Sequence, residues 1–169
     1  MEFEVGDQVM HPTHGLGQIT AIKHIELVEG FEHYYEISIP EAALQINIPM
    51  RKAEELGLRP IMKETRVDRV LETLAAAPEA LNDHYRSRQA DVESKLRSGD
   101  PIALAEAVRD LHRRKVEDSL TRRDSQLLHE AEEMLATEIS ATMEMSLEEA
   151  LTTIEERLDA HHGPAEPGD

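Results

Sequence analysis

The fold of the first part of the chain is decided by residues 6–19, which read Gly6-Asp7-Gln8-Val9-Met10-His11-Pro12-Thr13-His14-Gly15-Leu16-Gly17-Gln18-Ile19. Apolar residues stand here in short runs, and each run is interrupted by glycine or by proline. Such runs are typical of short antiparallel strands joined by tight turns. This stretch therefore predicts the start of a small, strongly bent β-sheet.

Two more strands are predicted downstream of this stretch. Apolar and polar residues alternate with a period of two in residues 31–39 and again in residues 44–48, as in half-buried strands. Gly30 marks a turn before the first of them, and Pro49 ends the second because proline has no N–H to donate. The sequence thus predicts a Tudor- or SH3-like small β-barrel over residues 1–60.

Beyond residue 51 the apolar residues recur at helical spacing. Asp100-Pro101 combines a capping residue with proline at the first helical position, which is a strong helix start. Residues 121–124 and 146–149 both resemble capping boxes. The pattern predicts a compact all-α bundle of about five helices over residues 61–160, and hence an α+β protein. Residues 161–169 are rich in Gly and Pro, which predicts a disordered tail.

The charge is strongly uneven along the chain. The net charge is −17, and residues 124–169 hold 13 Asp/Glu against one Arg. Residues 61–123 instead hold 13 Lys/Arg and 12 Asp/Glu. A local basic surface between acidic flanks can contact phosphates, but it predicts weak binding to DNA on its own.

Several classes of protein are not expected. The sequence has no Cys, so a disulfide framework or a zinc ribbon is excluded. No apolar run approaches the roughly 20 residues of a membrane helix, and the start has no signal-peptide pattern, which predicts a cytoplasmic protein. His11 and His14 have no third ligand at a metal-like spacing, so no metal site is expected. No nucleophile elbow or phosphate loop is present, which predicts neither an enzyme, nor a cofactor, nor a small-molecule substrate.

Three motifs carry a family resemblance. The first is residues 6–19, and the second is Ile48-Pro49 followed by Ala53-Glu54-Glu55-Leu56-Gly57-Leu58-Arg59. The third is Leu96, Ser98-Gly99-Asp100 and Val108-Arg109-Asp110-Leu111-His112-Arg113-Arg114. In this order they resemble the CarD/CdnL family of RNA polymerase-binding transcription regulators. The N-terminal part is also similar to the polymerase-interacting domain of transcription-repair coupling factors.

For the β-domain, the resemblance implies docking on the β subunit of bacterial RNA polymerase, partly by pairing through an exposed edge strand. The implied contact residues are Ile25, Leu44, Gln45, Ile46, Asn47 and Ile48. Family members often carry basic residues where this chain has Ile25 and Asn47. We therefore expect either a more apolar contact here or a polymerase lobe that has changed together with these residues.

For the helical domain, the resemblance implies an aromatic wedge, usually Trp, in the DNA minor groove at the upstream edge of the open promoter bubble. The matching residue is Tyr85, and the sequence has no Trp. Tyr85 either acts as this wedge or packs against the next helix. Nearby cations could hold phosphates, although each could equally be solvated or ion-paired: Arg86, Arg88, Arg113, Arg114, Arg122 and Arg123. The family's lysines are not matched at Ala90 and Ser125.

The sequence therefore predicts a regulator that is anchored to polymerase, that contacts promoter DNA and modulates open-complex stability, and that associates with the nucleoid through polymerase. An alternative stays open. The acidic composition and the missing Trp also fit a protein-interaction adaptor that binds polymerase without significant DNA binding.

Overall fold

The computed structural model describes residues 2–160. The chain divides into two units, the first ending at Ile61 and the second beginning at Met62. The predicted tail, residues 161–169, lies outside the described residues. No helix within residues 2–160 is long and apolar enough to cross a membrane.

The first unit is one antiparallel sheet with the strand order β4-β3-β2-β1-β5. The five strands are β1 (Gln8–His11), β2 (Gly15–Val28), β3 (Phe31–Ile39), β4 (Leu44–Pro49) and β5 (Arg59–Pro60). Register shifts interrupt the pairing of β2 with β3 at two places, and such bulges bend a strand. β4 and β5 remain the two edges of this sheet, so it is bent but not closed into a barrel.

Alternation along the strands places one face of the sheet in a small core. Its buried members are Phe3, Val9, Ile19, Tyr35, Ile37, Ile39, Ile48, Ala53 and Leu58. Gly17 in β2 lies close to β3. A Cβ at this position would stand 2.7 Å from Ile37 Cγ2 and 3.1 Å from the carbonyl oxygen of Ser38. Only glycine fits at that distance.

The second unit is built from five helices, which are α1 (Glu64–Ala75), α2 (Tyr85–Arg97), α3 (Pro101–Glu117), α4 (Arg122–Met143) and α5 (Leu147–Asp159). The starts of α3, α4 and α5 follow the sequence signals. Asp100 Oδ1 accepts a hydrogen bond from the N–H of Ile102 at 2.9 Å. Thr121 with Asp124 and Ser146 with Glu149 form two complete capping boxes. The predicted α+β class, a bent sheet followed by about five helices, is confirmed.

The helices share one core, to which every helix contributes apolar residues. A buried carboxylate also stabilises this unit. Glu138 in α4 is fully buried and accepts a hydrogen bond from the N–H of Met62 at 2.8 Å. Thr142, one turn further along α4, donates to the carbonyl of Met62 at 2.9 Å. Both backbone polar groups of Met62 are therefore satisfied by α4.

Candidate nucleic-acid and protein interfaces

Tyr85 is the first residue of α2, and its side chain is not part of the helical core. It is 48 % exposed. Its ring stacks on His84, with 5.4 Å between ring centroids and 19° between ring planes. The guanidinium of Arg86 lies over the Tyr85 ring, 5.7 Å from its centroid. Arg86 Nε also donates a hydrogen bond to the Tyr85 hydroxyl at 3.1 Å. These three residues form an exposed stack of flat groups.

Arg88 follows Tyr85 by three residues in α2 and is only 2 % exposed. Its Nε and Nη2 donate to Asp124 at 3.2 and 2.7 Å, and its Nη1 donates to the carbonyls of Asn82 and Asp83, each at 3.0 Å. Arg88 therefore does not hold DNA phosphates, contrary to the prediction, because its side chain is buried and its donors are used internally. Arg88 instead connects residues 82–83, which precede Tyr85, to the start of α4.

The acceptor in this pair, Asp124, is fully buried. Burial alone would raise the pKa of its carboxyl, but hydrogen bonds from Arg88 and from Thr121 outweigh burial and lower that pKa. The carboxylate also completes the cap of α4 by accepting from the N–H of Thr121 at 3.1 Å. Asp124 is thus held ionised where α2 meets α4.

Two further contacts join α2 to the start of α4. Gln89 donates to the Thr121 hydroxyl at 3.1 Å, and Arg123 Nη2 donates to Glu93 at 2.8 Å. The bond from Arg123 lowers the pKa of Glu93 and raises that of Arg123. The start of α4 therefore lies beside α2, and Arg122 is exposed at the same end of the helical unit as the stack.

The predicted phosphate-binding arginines differ in whether they already form ion pairs within the chain. Arg113 forms an ion pair with Glu117. Arg114 is largely buried and lies 3.6 Å from Asp83 and 3.5 Å from Asp118. Among the described residues Arg122 makes no ion pair, and Arg86 makes its hydrogen bond and its cation–π contact with Tyr85 and forms no ion pair. Arg86 and Arg122 are therefore the arginines with most freedom to meet a phosphate.

On the first unit, β4 offers one open edge. Pro49 has no N–H, so its pairing with Tyr34 must be of the type without hydrogen bonds between the two residues. The register is continuous along β4 and the two pair types alternate. Asn47 and Gln45 therefore direct their backbone N–H and C=O groups away from β3, toward the open edge. This edge presents donors and acceptors that another strand can pair with.

The side chains of β4 divide between its two faces. Ile48 is buried in the core of the sheet and Ile46 is half-buried beside it. The side chain of Ile48, one of the implied contact residues, is therefore enclosed by its own domain. Gln45 and Asn47 are exposed on the other face, Leu44 is exposed at the start of β4, and Ile25 is half-buried on β2.

Comparison with known families decides what the chain is. Residues 69–155 match the family model described as "CarD, C-terminal domain". The chain belongs to the CarD family. The other CarD match covers residues 3–62 and is to the model described as "CarD-like/TRCF RID domain". The resemblance read from the three sequence motifs is confirmed.

Similarity to a named protein of another organism supports this family assignment. The chain is 28 % identical over 137 residues to the Bacillus subtilis (strain 168) protein named "Putative transcription factor YdeB". The similarity covers 81 % of this chain and 90 % of that protein. The family is one of transcription regulators and not of enzymes.

The four histidines of the sheet unit in this CarD-family chain fall into two pairs. At the end of β1, His11 Nδ1 accepts hydrogen bonds from the N–H groups of Thr13 and His14 in the following loop at 3.1 and 3.2 Å, and the rings of His11 and His14 stack with 4.8 Å between their centroids. Burial, and then the neighbouring His14, lower the pKa of His11. These histidines thus shape their own loop.

A second histidine group was missed from the sequence. His24, Glu32 and His33 bring their ligand-capable atoms within 4.8 Å of one another. The two histidines are nine positions apart along the chain, which is wider than the usual short spacing of paired metal ligands. The signal that could have found them is the register of the hairpin, which places His24 opposite His33.

Proposed function

We propose that this protein is an RNA polymerase-anchored transcription regulator. In this proposal the sheet unit binds the β subunit of bacterial RNA polymerase, and the helical unit contacts promoter DNA at the upstream edge of the bubble. The observation that carries the proposal is the open edge of β4, which lies in a sheet whose sequence matches the polymerase-interacting domain model.

At the polymerase contact, the outward backbone groups of Gln45 and Asn47 would continue the sheet into a strand of the partner. Main-chain hydrogen bonds then provide affinity, and exposed side chains provide specificity. Leu44 is an exposed apolar residue at the start of β4, and Ile25 is an apolar residue on β2, on the far side of β3 from this edge. We therefore expect the contact to depend less on salt than one made by basic residues.

At the DNA contact, the exposed ring of Tyr85 would stack against a base at an unstacked base step. Arg86 and Arg122 would meet phosphates on either side of it. Since polymerase holds the helical unit near the promoter, a weak DNA contact can still be effective. A contact made better with the opened promoter than with the closed one shifts the equilibrium toward the open complex.

A matched pair of variants tests the polymerase half. Asn47→Pro removes an N–H at the open edge without removing a bond to β3, whereas Asn47→Ala keeps that N–H and removes the side chain. Isothermal titration calorimetry with the isolated lobe of the polymerase β subunit should show weaker binding for Asn47→Pro and little change for Asn47→Ala. Equal affinities for both variants and the parent would rule out pairing through β4.

The alternative is an acidic adaptor that binds polymerase but not DNA. It is favoured by one observation, which is that Arg88, Arg113, Arg114 and Arg123 are all engaged by carboxylates of this chain. A salt titration of binding to forked promoter DNA separates the two functions. A DNA contact gives an affinity that falls steeply with salt, and the adaptor gives no measurable binding at any salt concentration.

A further inference from the structure

The hairpin of β2 and β3 carries a group of ligand-capable side chains that the proposed function does not use. His24 and His33 are directly opposed in the strand register. Their rings meet edge to face, with 5.1 Å between centroids. Glu32 is the residue next to His33, and one ligand atom from each of the three side chains lies within 4.8 Å of the others.

We propose that His24, Glu32 and His33 form a binding site for one divalent transition-metal ion of the zinc type. Two imidazole nitrogens and one carboxylate oxygen are a ligand set that Zn²⁺ accepts, with water in the fourth position. Ligand atoms bound at about 2.0–2.2 Å around a tetrahedral ion stand about 3.4 Å apart. All three side chains are exposed, so the core of the sheet does not hinder their rotation toward this spacing.

The sequence around the site is rich in Glu. Residues 24–50 contain five Glu and neither Lys nor Arg; Lys23, which precedes them, pairs with Glu36, and Arg51, which follows them, lines the same cavity as Glu32 and His33. Within residues 2–160, none of the three side chains forms a hydrogen bond or an ion pair with another side chain. The ligands are therefore not held by a cation of the chain itself. The hydrated ions Mg²⁺ and Ca²⁺ prefer oxygen ligands and are poorly served by two imidazoles.

Metal binding would join β2 to β3 near the end of their hairpin. The pairing shifts register between His24 and Val28, so this end has fewer ladder hydrogen bonds to fix it. Leu27 and Val28 are among the most exposed apolar residues of the chain, and Ile25 is a proposed polymerase contact. The ion would therefore order a segment that lies next to a proposed interface.

A competition titration against a chromophoric zinc chelator tests the site. The parent is the full chain with His161→Ala and His162→Ala, which removes two histidines outside the described residues. The double variant His24→Ala/His33→Ala on this background should lose at least about tenfold in Zn²⁺ affinity, because it loses two of the three proposed metal ligands. Glu32→Gln should lose less, and Mg²⁺ should not compete.

The matched control is His129→Ala. His129 and Glu133 form an exposed pair on α4 at 3.3 Å, which offers only two ligands, so zinc affinity should not change. Zinc should also raise the melting temperature of the parent and not that of the double variant. Absence of one-to-one binding by the parent, or equal affinities for parent and double variant, overturns the proposal. The titration contains neither polymerase nor DNA, so its failure leaves the proposed function untouched.

Discussion

The guanidinium of Arg88 in α2 donates two hydrogen bonds, of 2.7 and 3.2 Å, to the carboxylate of Asp124 in the first turn of α4. Neither side chain reaches solvent. The remaining donors of Arg88 hold the segment that precedes Tyr85. Asp124 in turn caps the helix that begins with Arg122. One buried ion pair therefore positions both parts of the proposed DNA contact.

Removing the cation of this pair should destabilise the protein strongly. Arg88→Met leaves Asp124 buried without its partner, and breaking a buried ion pair in this way costs about 3–5 kcal/mol. We expect a large fall in the urea midpoint and in the melting temperature. Arg123→Met is the control, because its pair with Glu93 is only half-buried and should contribute much less. Similar losses in the two variants would mean that Arg88 is not the structural anchor described here.

Stability should fall in acid because of Asp124. Its folded-state pKa is lowered, since the hydrogen bonds from Arg88 and Thr121 outweigh the effect of burial. A carboxyl whose pKa is lower when folded contributes stability above its unfolded pKa of about 3.9, and this contribution is lost as the pH falls through the folded pKa. Urea unfolding between pH 7 and pH 2 measures this loss.

Asp124→Asn is the comparison for the acid series. It should be less stable than the parent at pH 7, and its stability should change less with pH below about 4. The pKa of Glu93 is also lowered, by its bond from Arg123, so some acid dependence should remain. Parallel pH profiles for the two proteins would show that Asp124 does not contribute in this way.

The sheet unit should be sensitive at Gly17. An alanine Cβ would stand 2.7 Å from Ile37 Cγ2 and 3.1 Å from the backbone oxygen of Ser38. Both neighbours belong to β3 and cannot retreat without disturbing the core, so overpacking should cost about 1–3 kcal/mol. Gln18→Ala, at the exposed neighbouring position, is the control for unfolding by urea. A Gly17→Ala variant as stable as the control would contradict this close packing.

The sequence predicted those features that depend on nearby residues. Asp100-Pro101 and the capping boxes at Thr121 and Ser146 satisfy helix ends with partners two or three positions away, so their spacing is visible in the sequence. The alternation in β4 likewise indicated which residues face the core. Local chemistry therefore sufficed for the helix starts and for the class of fold.

The remaining features depend on partners that are distant in sequence. Arg88 looked like a surface cation, because its partner Asp124 is 36 positions away and burial of an arginine is rare without such a partner. The His24–His33 pair depends on the strand register, which single-sequence patterns do not fix. Whether the sheet closes depends on the pairing of β4 with β5, the first and last strands in its order.

The phosphate contacts proposed for Arg86 and Arg122 should appear in the salt dependence of DNA binding. Each phosphate contact that is removed lowers the slope of log affinity against log salt by about one. Arg86→Glu/Arg122→Glu should therefore weaken binding of a polymerase–protein complex to forked promoter DNA and flatten that slope. Arg97→Glu is the control, because Arg97 is an exposed cation at the opposite end of α2. Equal slopes for the two variants would remove both arginines from the DNA contact.

Tyr85 gives the sharpest test of the DNA contact. Its ring is half-exposed, so Tyr85→Ala should change the melting temperature little, whereas truncation of a buried aromatic costs about 3–5 kcal/mol. Base–aromatic contacts are worth about 1–3 kcal/mol, so the variant should shorten the open-complex lifetime at least several-fold. Tyr85→Trp should match or exceed the parent, because a larger ring offers more stacking area. Thermal unfolding and open-complex lifetime measured on both variants decide the matter, and an unchanged lifetime for Tyr85→Ala would refute the wedge.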